Sequence, residues 1–132
     1  MTEASTHPQQ VRIVLIDDTS EMRELTRTQL RRRDDLQIVA EAEGALEGIE
    51  SVEHLQPDLV ICDITMPQLD GIGAIPLIRQ AAPHTRILMW SVLGDSETVH
   101  RALDAGADAF LMKGARRQVL EDAIDSVLAT SS

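Results

Sequence analysis

Short apolar runs alternate with amphipathic stretches along the whole chain. The runs are rich in Val, Ile and Leu, and each ends at a charged, polar or turn residue. Runs of this kind are typical of strands that are buried on both faces of a parallel sheet. The pattern predicts five strands, at residues 11–16, 36–40, 59–62, 86–91 and 109–112.

A helical pattern follows each predicted strand. Thr19-Ser20-Glu21 and Asp95-Ser96-Glu97 supply capping residues at two helix starts, and Gly106 suits a helix end. Pro76 is expected to disturb or delay the first turn of the third helix, which runs from Gly71 to about residue 82. The predicted apolar faces are Met22, Leu25 and Leu30; Leu46, Ile49 and Leu55; Val99, Ala102 and Leu103; and Val119, Leu120, Ala123, Ile124, Val127 and Leu128.

Strict alternation of strands and helices predicts a single α/β domain. Five strand–helix pairs form a doubly wound parallel sheet, with right-handed crossovers and helices on both faces. The length of 132 residues is sufficient for one hydrophobic core. We expect the domain to comprise residues 11–129, with a disordered polar lead at 1–10 and a frayed end at 130–132.

The composition restricts both the core and the partners. With one Trp, one Phe and no Tyr, the core must be aliphatic. Acidic residues outnumber basic ones by 22 to 12, giving a net charge of −10. Because contacts of Lys and Arg with phosphates supply most sequence-independent affinity for nucleic acids, we expect no direct nucleic-acid binding by this chain alone. An acidic surface suits cationic partners or metal ions.

Neither the single cysteine nor the histidines indicate a site. Cys62 lies in a predicted strand, where we expect a small core residue without an intrachain disulfide. His7, His54, His84 and His100 are scattered, and we expect them to be solvated. The chain has neither an apolar stretch long enough for a membrane span nor signal-peptide features in its first ten residues. We therefore expect a cytosolic protein that does not contact a membrane.

Polar side chains stand at the ends of four of the five predicted strands. Asp17 and Asp18 follow the first strand, Asp63 the third, Ser91 ends the fourth and Lys113 follows the fifth. Lys113 is the only lysine in the chain. Since the carboxyl ends of parallel strands meet at one edge of the sheet, these side chains converge if their strands are adjacent.

This combination of side chains suits magnesium-dependent phosphoryl transfer. Closely packed carboxylates repel one another unless a cation intervenes, and a small set of oxygen ligands that leaves room for water and phosphate suits Mg²⁺. No His or Cys spacing indicates zinc. With the metal bound, an aspartate can act as nucleophile toward a phosphoryl group whose charge the metal, a lysine and a hydroxyl stabilise.

The same residues lie in motifs that resemble the bacterial response-regulator receiver domain. The motifs are Ile16-Asp17-Asp18, Asp63-Ile64-Thr65-Met66-Pro67 with Asp70-Gly71, Ser91, and Ala105-Gly106-Ala107-Asp108-Ala109-Phe110-Leu111-Met112-Lys113. They occur in the family's order, and the resemblance extends over residues 11 to 129. It implies a flavodoxin-like three-layer (βα)5 sandwich with strand order 2-1-3-4-5.

The resemblance implies Asp63 as the phosphoacceptor and a Mg²⁺ site beside it. Asp18 and Asp63 would bind the ion by their side chains, Thr65 by its backbone carbonyl, and Asp17 through water.

The resemblance also implies the residues of a switch. Ser91 would form a hydrogen bond with the phosphoryl group and Lys113 an ion pair. Phe110 occupies the position of the switch aromatic, which turns inward as Ser91 moves. Such a domain is not a turnover enzyme, because it catalyses only its own phosphorylation and dephosphorylation.

By the same resemblance, the phosphoryl donor is a phosphohistidine of a sensor histidine kinase or phosphotransfer protein. Phosphorylation would control an output domain, often a helix-turn-helix domain, or a downstream protein. The helix after Ser91, the fifth strand and the last helix form the expected partner surface, and the chain is expected to be a monomer or a phosphorylation-dependent homodimer. The expected kinase-docking residues on the first helix are Met22, Arg23, Leu25 and Thr26.

Three residues depart from the usual family pattern. Val92 stands where a small residue is usual, and we expect its branched side chain to restrict access to the phosphoryl site. Gly114 follows Lys113 where many members have Pro, which indicates a more mobile loop. Phe110 lacks the hydroxyl of the common Tyr, so switching would rely on packing.

Three alternative functions differ from this one in the residues that they need. A Mg²⁺-dependent phosphohydrolase with an Asp nucleophile needs a second acid two residues later, where this chain has Thr65. A flavodoxin-like electron carrier needs a phosphate-binding loop after the first strand, and residues 17–21 are too acidic for one. The acidic residues also argue against an interaction module that works without phosphorylation.

Overall fold

Five strands alternate with five helices in the computed structural model of the chain. The strands are β1 (Val11–Ile16), β2 (Leu36–Ala42), β3 (Leu59–Asp63), β4 (Arg86–Ser91) and β5 (Ala109–Met112). The helices are α1 (Ser20–Leu30), α2 (Ala45–Leu55), α3 (Gly71–Ala81), α4 (Ser96–Ala105) and α5 (Arg117–Ala129).

The structure describes residues 10–66, 69–92 and 94–129. The predicted frayed end and all of the predicted lead except Gln10 therefore lie outside the described residues. The side-chain amide of Gln10 donates a hydrogen bond to the carbonyl oxygen of Asp34 (3.1 Å).

The strands form one parallel sheet in the order β2-β1-β3-β4-β5. This order agrees with the one implied by the resemblance, and the doubly wound α/β architecture is confirmed. β3 occupies the centre, and all five of its residues are buried. Because the strands run in the same direction, the carboxyl ends of β1, β3, β4 and β5 lie along one edge of the sheet.

Each face of the sheet is covered by an aliphatic core. Cys62 faces the core beneath α2, α3 and α4, and burial raises the pKa of its thiol. Trp90 faces the other core, where it packs among residues of the sheet, α1 and α5. The prediction that Cys62 is a small core residue is confirmed.

The inward faces of the helices differ from the predicted apolar faces. Four predicted members are exposed, namely Leu25, Leu46, Leu103 and Val119. α2 packs inward through Ala45, Gly48 and Val52, while Leu46 is 63% exposed. A Cβ atom at Gly48 would overlap with the side chain of Ile16. Small residues let this helix lie close to β1, and its larger leucine faces outward.

The expectation that Pro76 disturbs the first turn of α3 is wrong. The helix begins at Gly71 and continues through Pro76 to Ala81. The Asp70 carboxylate caps its start by accepting a hydrogen bond from the N–H of Gly73 (2.8 Å), and the N–H of Ala74 bonds the carbonyl of Asp70 (3.1 Å). Pro76 follows this completed turn, so the missing N–H costs one later hydrogen bond and does not affect the start.

The three consecutive arginines after α1 differ in their surroundings. Arg31 and Arg32 are exposed, but Arg33 bonds Asp35 (2.6 Å) and Asp125 (3.0 Å). Those hydrogen bonds raise the pKa of Arg33. Arg33 thereby connects the end of α1 to α5.

Two further predictions concern solvent and membrane. His54, His84 and His100 are exposed as expected, whereas His7 lies outside the described residues. Within the described ranges, every helix is too short or too polar to cross a lipid bilayer.

Candidate functional site

The end of β1 supplies two carboxylates with different surroundings. Asp17 is buried, and its N–H continues the pairing with β2 by donating to the carbonyl of Ala42 (3.0 Å). Its Oδ1 accepts a hydrogen bond from the N–H of Thr19 (2.9 Å), which shapes the turn into α1. Asp18 is exposed. One carboxylate is therefore fixed within the sheet edge, and its neighbour faces solvent.

The central carboxylate is Asp63, the last residue of β3. Its side chain is 4% exposed, and its Oδ1 accepts a hydrogen bond from the N–H of Thr65 (3.2 Å). The N–H of Gly71 bonds the carbonyl of Ile64 (2.7 Å), which brings the start of α3 next to the end of β3. Gly71 has no room for a Cβ, which would collide with the Asp63 carbonyl oxygen. These contacts hold Thr65 beside the Asp63 carboxylate.

Lys113 joins the two buried carboxylates. Its Nζ lies 2.7 Å from Oδ2 of Asp17 and 3.2 Å from Oδ2 of Asp63. The backbone reaches this position because the N–H of Lys113 donates to the carbonyl of Ser91 (2.7 Å). Gly114 then adopts a φ of +91°, which proline cannot adopt because its ring holds φ near −65°.

Ser91 and Phe110 lie on adjacent strands next to these groups. β3 and β4 pair through Asp63 and Trp90, so the fully buried Ser91 is the next residue beyond the phosphoacceptor candidate. Phe110 on β5 pairs with Met89 on β4 and is half-buried against the core beneath α2, α3 and α4.

Asp17, Asp18 and Asp63 form an acidic cluster that fits a hard cation. One oxygen from each carboxylate can be chosen so that all three lie within 4.8 Å of one another. The donors are all oxygen, and the exposed Asp18 leaves the cluster open to water. Both features suit Mg²⁺, which prefers oxygen ligands and retains several waters. The predicted acidic residues are therefore brought together.

The electrostatics of the cluster reflect its burial. Burial raises the pKa of Asp63 to about 6, with the negative charge of Asp17 adding to the effect and Lys113 opposing it. Burial alone would lower the pKa of Lys113, but its hydrogen bond to Asp17 and the attraction of both carboxylates raise it. At neutral pH the lysine is charged and Asp63 is mainly ionised.

The chain matches the model of a known protein family. The model of the response regulator receiver domain matches residues 13–125. The chain belongs to this family. Chemotaxis protein CheY of Bacillus subtilis is 37% identical to the receiver domain over 117 residues, which are 89% of this chain and 97% of CheY.

Solved structures show the same architecture. A LuxR-family two-component response regulator from Aurantimonas has a TM-score of 0.87 and 35% identity to this receiver domain, covering 92% of this chain and 86% of the other. A chain of the CheX–CheY–BeF3–Mg²⁺ complex from Borrelia burgdorferi has a TM-score of 0.84 and 26% identity, covering 91% of this chain and 90% of the other. The fold and the family recognised from the sequence motifs are confirmed.

The position of Arg23 differs from the one predicted from the sequence. Arg23 was expected on a docking face, but its side chain is only 12% exposed and donates to the carbonyl of Asp17 (2.6 Å). Glu41 at the end of β2 pairs with it (3.2 Å). The available signal was Glu41 itself, because a charged residue beside an apolar strand requires a partner when it is partly buried.

The expected docking face on α1 is accordingly smaller. Thr26 is buried and donates its hydroxyl proton to the carbonyl of Met22 (2.9 Å). Met22 is half-buried, and Leu25 is the exposed apolar member.

Proposed function

We propose that this receiver domain accepts a phosphoryl group on Asp63 from a phosphohistidine of a sensor kinase or phosphotransfer protein, in a Mg²⁺-dependent reaction. The observation that carries this proposal is the convergence of Lys113 and two further carboxylates on one buried aspartate. A nucleophile with this arrangement is adapted to a group that arrives with several negative charges.

Asp63 supplies the nucleophile. A pKa of about 6 leaves its carboxylate mainly ionised at neutral pH, so no separate base is required. One carboxylate oxygen attacks phosphorus, the P–N bond of the donor breaks, and the imidazole nitrogen keeps the electron pair and is protonated. The product is an acyl phosphate on Asp63.

The neighbouring residues stabilise the transferred group. The Lys113 ammonium is already next to Asp63, and the Ser91 hydroxyl donates to a phosphoryl oxygen. Asp17, Asp18, Asp63 and the Thr65 carbonyl would hold Mg²⁺, which supplies charge neutralisation at the phosphoryl oxygens. The ion named with the Borrelia CheY supports this choice of metal.

We propose a switch rather than a turnover enzyme. Two residues after Asp63, where the competing phosphohydrolase class needs an acid, the chain carries Thr65, which supplies no carboxyl proton. Hydrolysis of the acyl phosphate therefore lacks the assistance of an acid at this position. We place the reaction in the cytosol, where ATP-dependent kinases form phosphohistidine.

The proposed output surface consists of α4, β5 and α5. Each of these elements carries an exposed apolar side chain, namely Leu103, Met112 and Val119. Ser91 and Phe110 lie next to the same elements, so a change at Asp63 reaches this surface by a short path. An output domain, a downstream protein or a second phosphorylated copy would bind there.

Labelling with a small phosphodonor tests the chemistry. The protein is incubated with acetyl phosphate and Mg²⁺, and its mass is measured beside Asp63→Asn. We expect one acid-stable, alkali-labile phosphoryl group on the wild type and none on the variant. Many turnovers of the donor by each chain, without a labelled intermediate, would instead identify a phosphohydrolase.

A parallel measurement tests the output surface. Light scattering after size-exclusion chromatography, with and without beryllofluoride and Mg²⁺, reports a phosphorylation-dependent dimer. Dimerisation that Leu103→Ser abolishes would place it on this surface, while a monomer in both states would direct attention to an output domain or separate partner.

A further inference from the structure

The Arg23 guanidinium contacts the backbone of the metal-binding turn. Its Nη1 donates to the carbonyl oxygen of Asp17 at 2.6 Å, and the side chain is 12% exposed. The peptide bond that begins at this carbonyl joins Asp17 to Asp18. Since a peptide unit is planar, fixing its oxygen also fixes the direction in which the chain reaches the Cα of Asp18.

Glu41 holds the guanidinium in place. Its Oε1 accepts a hydrogen bond from Nε of Arg23 (3.2 Å), and both of its oxygens accept from Nη1 of Arg27 (2.7 and 2.6 Å). Glu43 lies at the limit of an ion pair, 4.0 Å from Nη2 of Arg23. Arg23 is thus held between a carboxylate on β2 and a carbonyl at the end of β1.

The charge of Glu41 also suits a cation site. A lone guanidinium behind the Asp17 carbonyl would repel a divalent ion in the acidic cluster. The Glu41 carboxylate, which Arg23 shares with Arg27, reduces this repulsion and leaves Nη1 of Arg23 available for the Asp17 carbonyl.

We propose that Arg23 is a positioning residue for Mg²⁺ binding, which orients the Asp17–Asp18 turn through the Asp17 carbonyl and is itself oriented by Glu41. This inference rests on the proposed function, because it assumes that the acidic cluster binds Mg²⁺. Arg23 touches neither the metal ligands' carboxylates nor the reacting atoms, and its effect passes through the backbone.

A purely structural role for Arg23 must be separated from this one. Arg79 offers a matched control, since it likewise binds backbone carbonyls and a carboxylate. It donates to the carbonyls of Thr85 (2.6 Å) and Gly106 (2.7 Å) and pairs with Asp108 (2.9 Å). Thr85 and Gly106 precede β4 and β5, so Arg79 acts at the amino-terminal edge of the sheet, opposite the acidic cluster.

The test compares the Mg²⁺ affinity of the wild type, Arg23→Gln and Arg79→Gln by isothermal titration calorimetry. The melting temperature of each protein in EDTA reports the stability of the fold without the metal. Removing an outer hydrogen-bond partner of a metal site weakens binding by about tenfold or more. We expect that loss for Arg23→Gln and unchanged binding for Arg79→Gln, although both variants melt earlier. Arg23→Lys should retain an intermediate affinity, because an ammonium can bond the carbonyl but lacks the planar fork.

The outcomes separate this inference from the proposed function. Wild-type affinity in Arg23→Gln, or equal losses in both glutamine variants, would overturn the role of Arg23 and leave the proposed function intact. Absence of Mg²⁺ binding by the wild type would overturn both. If Arg23→Gln does not fold, Glu41→Gln replaces it, since it keeps the carbonyl contact but removes the charge partner. Wild-type affinity in that variant would also count against the inference.

Discussion

The Nζ atom of Lys113 lies 2.7 Å from Oδ2 of Asp17, closer than to the Asp63 carboxylate at 3.2 Å. One ammonium therefore offsets the repulsion between two buried carboxylates. The proposed phosphoacceptor, Asp63, shares the positive charge of Lys113 with Asp17. A phosphoryl group on Asp63 would add negative charge that this single cation has to balance. The arrangement gives a physical reason for a second cation at the acidic cluster.

Removal of the lysine charge should destabilise the protein strongly. Lys113→Met leaves Asp17 and Asp63 buried without a counterion, and breaking a buried ion pair in this way costs about 3 kcal/mol or more in the free energy of unfolding. Urea denaturation at pH 7 in EDTA measures the loss. The control is Asp125→Asn, which removes a partly exposed ion pair with Arg33 (3.0 Å) while Arg33 keeps Asp35, and it should cost less than about 1 kcal/mol.

Added Mg²⁺ distinguishes the electrostatic explanation from a packing defect. A cation between the carboxylates should restore part of the stability that Lys113→Met loses. If millimolar Mg²⁺ restores nothing while it stabilises the wild type, lost side-chain packing would be the better explanation of the loss.

The raised pKa of Asp63 predicts a pH-dependent stability with a defined sign. An unfolded Asp has a pKa of about 3.9, and burial raises that of Asp63 to about 6 in the fold. Between these values the folded protein binds more protons at Asp63 than the unfolded chain does. The carboxyl therefore becomes destabilising as pH rises through this interval, by on the order of 3 kcal/mol in total.

Asp63→Asn should remove that penalty. In EDTA, the variant and the wild type should be similarly stable near pH 4, and the variant should gain stability relative to the wild type up to about pH 7. Urea denaturation from pH 4 to 8 measures the difference, with Asp122→Asn, a change at an exposed carboxylate on α5, as control. A difference that does not change with pH would mean that Asp63 titrates as an ordinary carboxyl.

The strand ends were predictable because one simple rule places them. Parallel strands bring Asp17, Asp63, Ser91 and Lys113 to one edge, whatever the details of packing, so spacing and order in the sequence were sufficient. The motifs then supplied the family, which five alternating elements alone do not specify.

The pattern of apolar and polar residues could not predict the contacts of long side chains. Arg23 lies on α1 at a position that fits either solvent or docking, and its contact with the Asp17 carbonyl depends on how α1 crosses β2. Leu46 was assigned inward because it is apolar, yet Gly48 and Ala45 bring α2 so close to β1 that the larger residue faces out. Hydrophobicity alone does not encode that distance.

Millimolar Mg²⁺ should raise the melting temperature of the wild type. A ligand that binds only the folded state stabilises it by about 2.7 kcal/mol at a concentration of 100 times Kd. Asp18→Ala should abolish most of this gain without harming the fold, because the side chain is exposed. Thermal denaturation in MgCl2, against NaCl of equal ionic strength, measures it. A gain that persists in Asp18→Ala would exclude this carboxylate as a ligand.

Trp90 should report the state of the site by its fluorescence. It is buried directly before Ser91, pairs with Asp63 across the sheet and lines a small cavity of about 10 Å³ together with Asp17. Its indole Nε1 has no hydrogen-bond partner among the described residues, so small shifts nearby alter its surroundings. We expect the emission intensity of the wild type to change with Mg²⁺ or with beryllofluoride. In Asp63→Asn, beryllofluoride should cause no change. Unchanged emission with both ligands would show that Trp90 is insulated or that the site is inactive.

Val92 should limit the rates of phosphorylation and dephosphorylation. Its branched side chain directly follows Ser91 and is 65% exposed, so it can cover the approach to Asp63 without taking part in the core. Val92→Ala should accelerate both reactions several-fold, with little change in the melting temperature because exposed substitutions cost about 0.5 kcal/mol or less. Phosphorylation by acetyl phosphate and the later loss of the label give the two rates. Val119→Ala, an equally small truncation of an exposed side chain on α5, serves as control. Rates that match the wild type in both variants would mean that access is limited elsewhere.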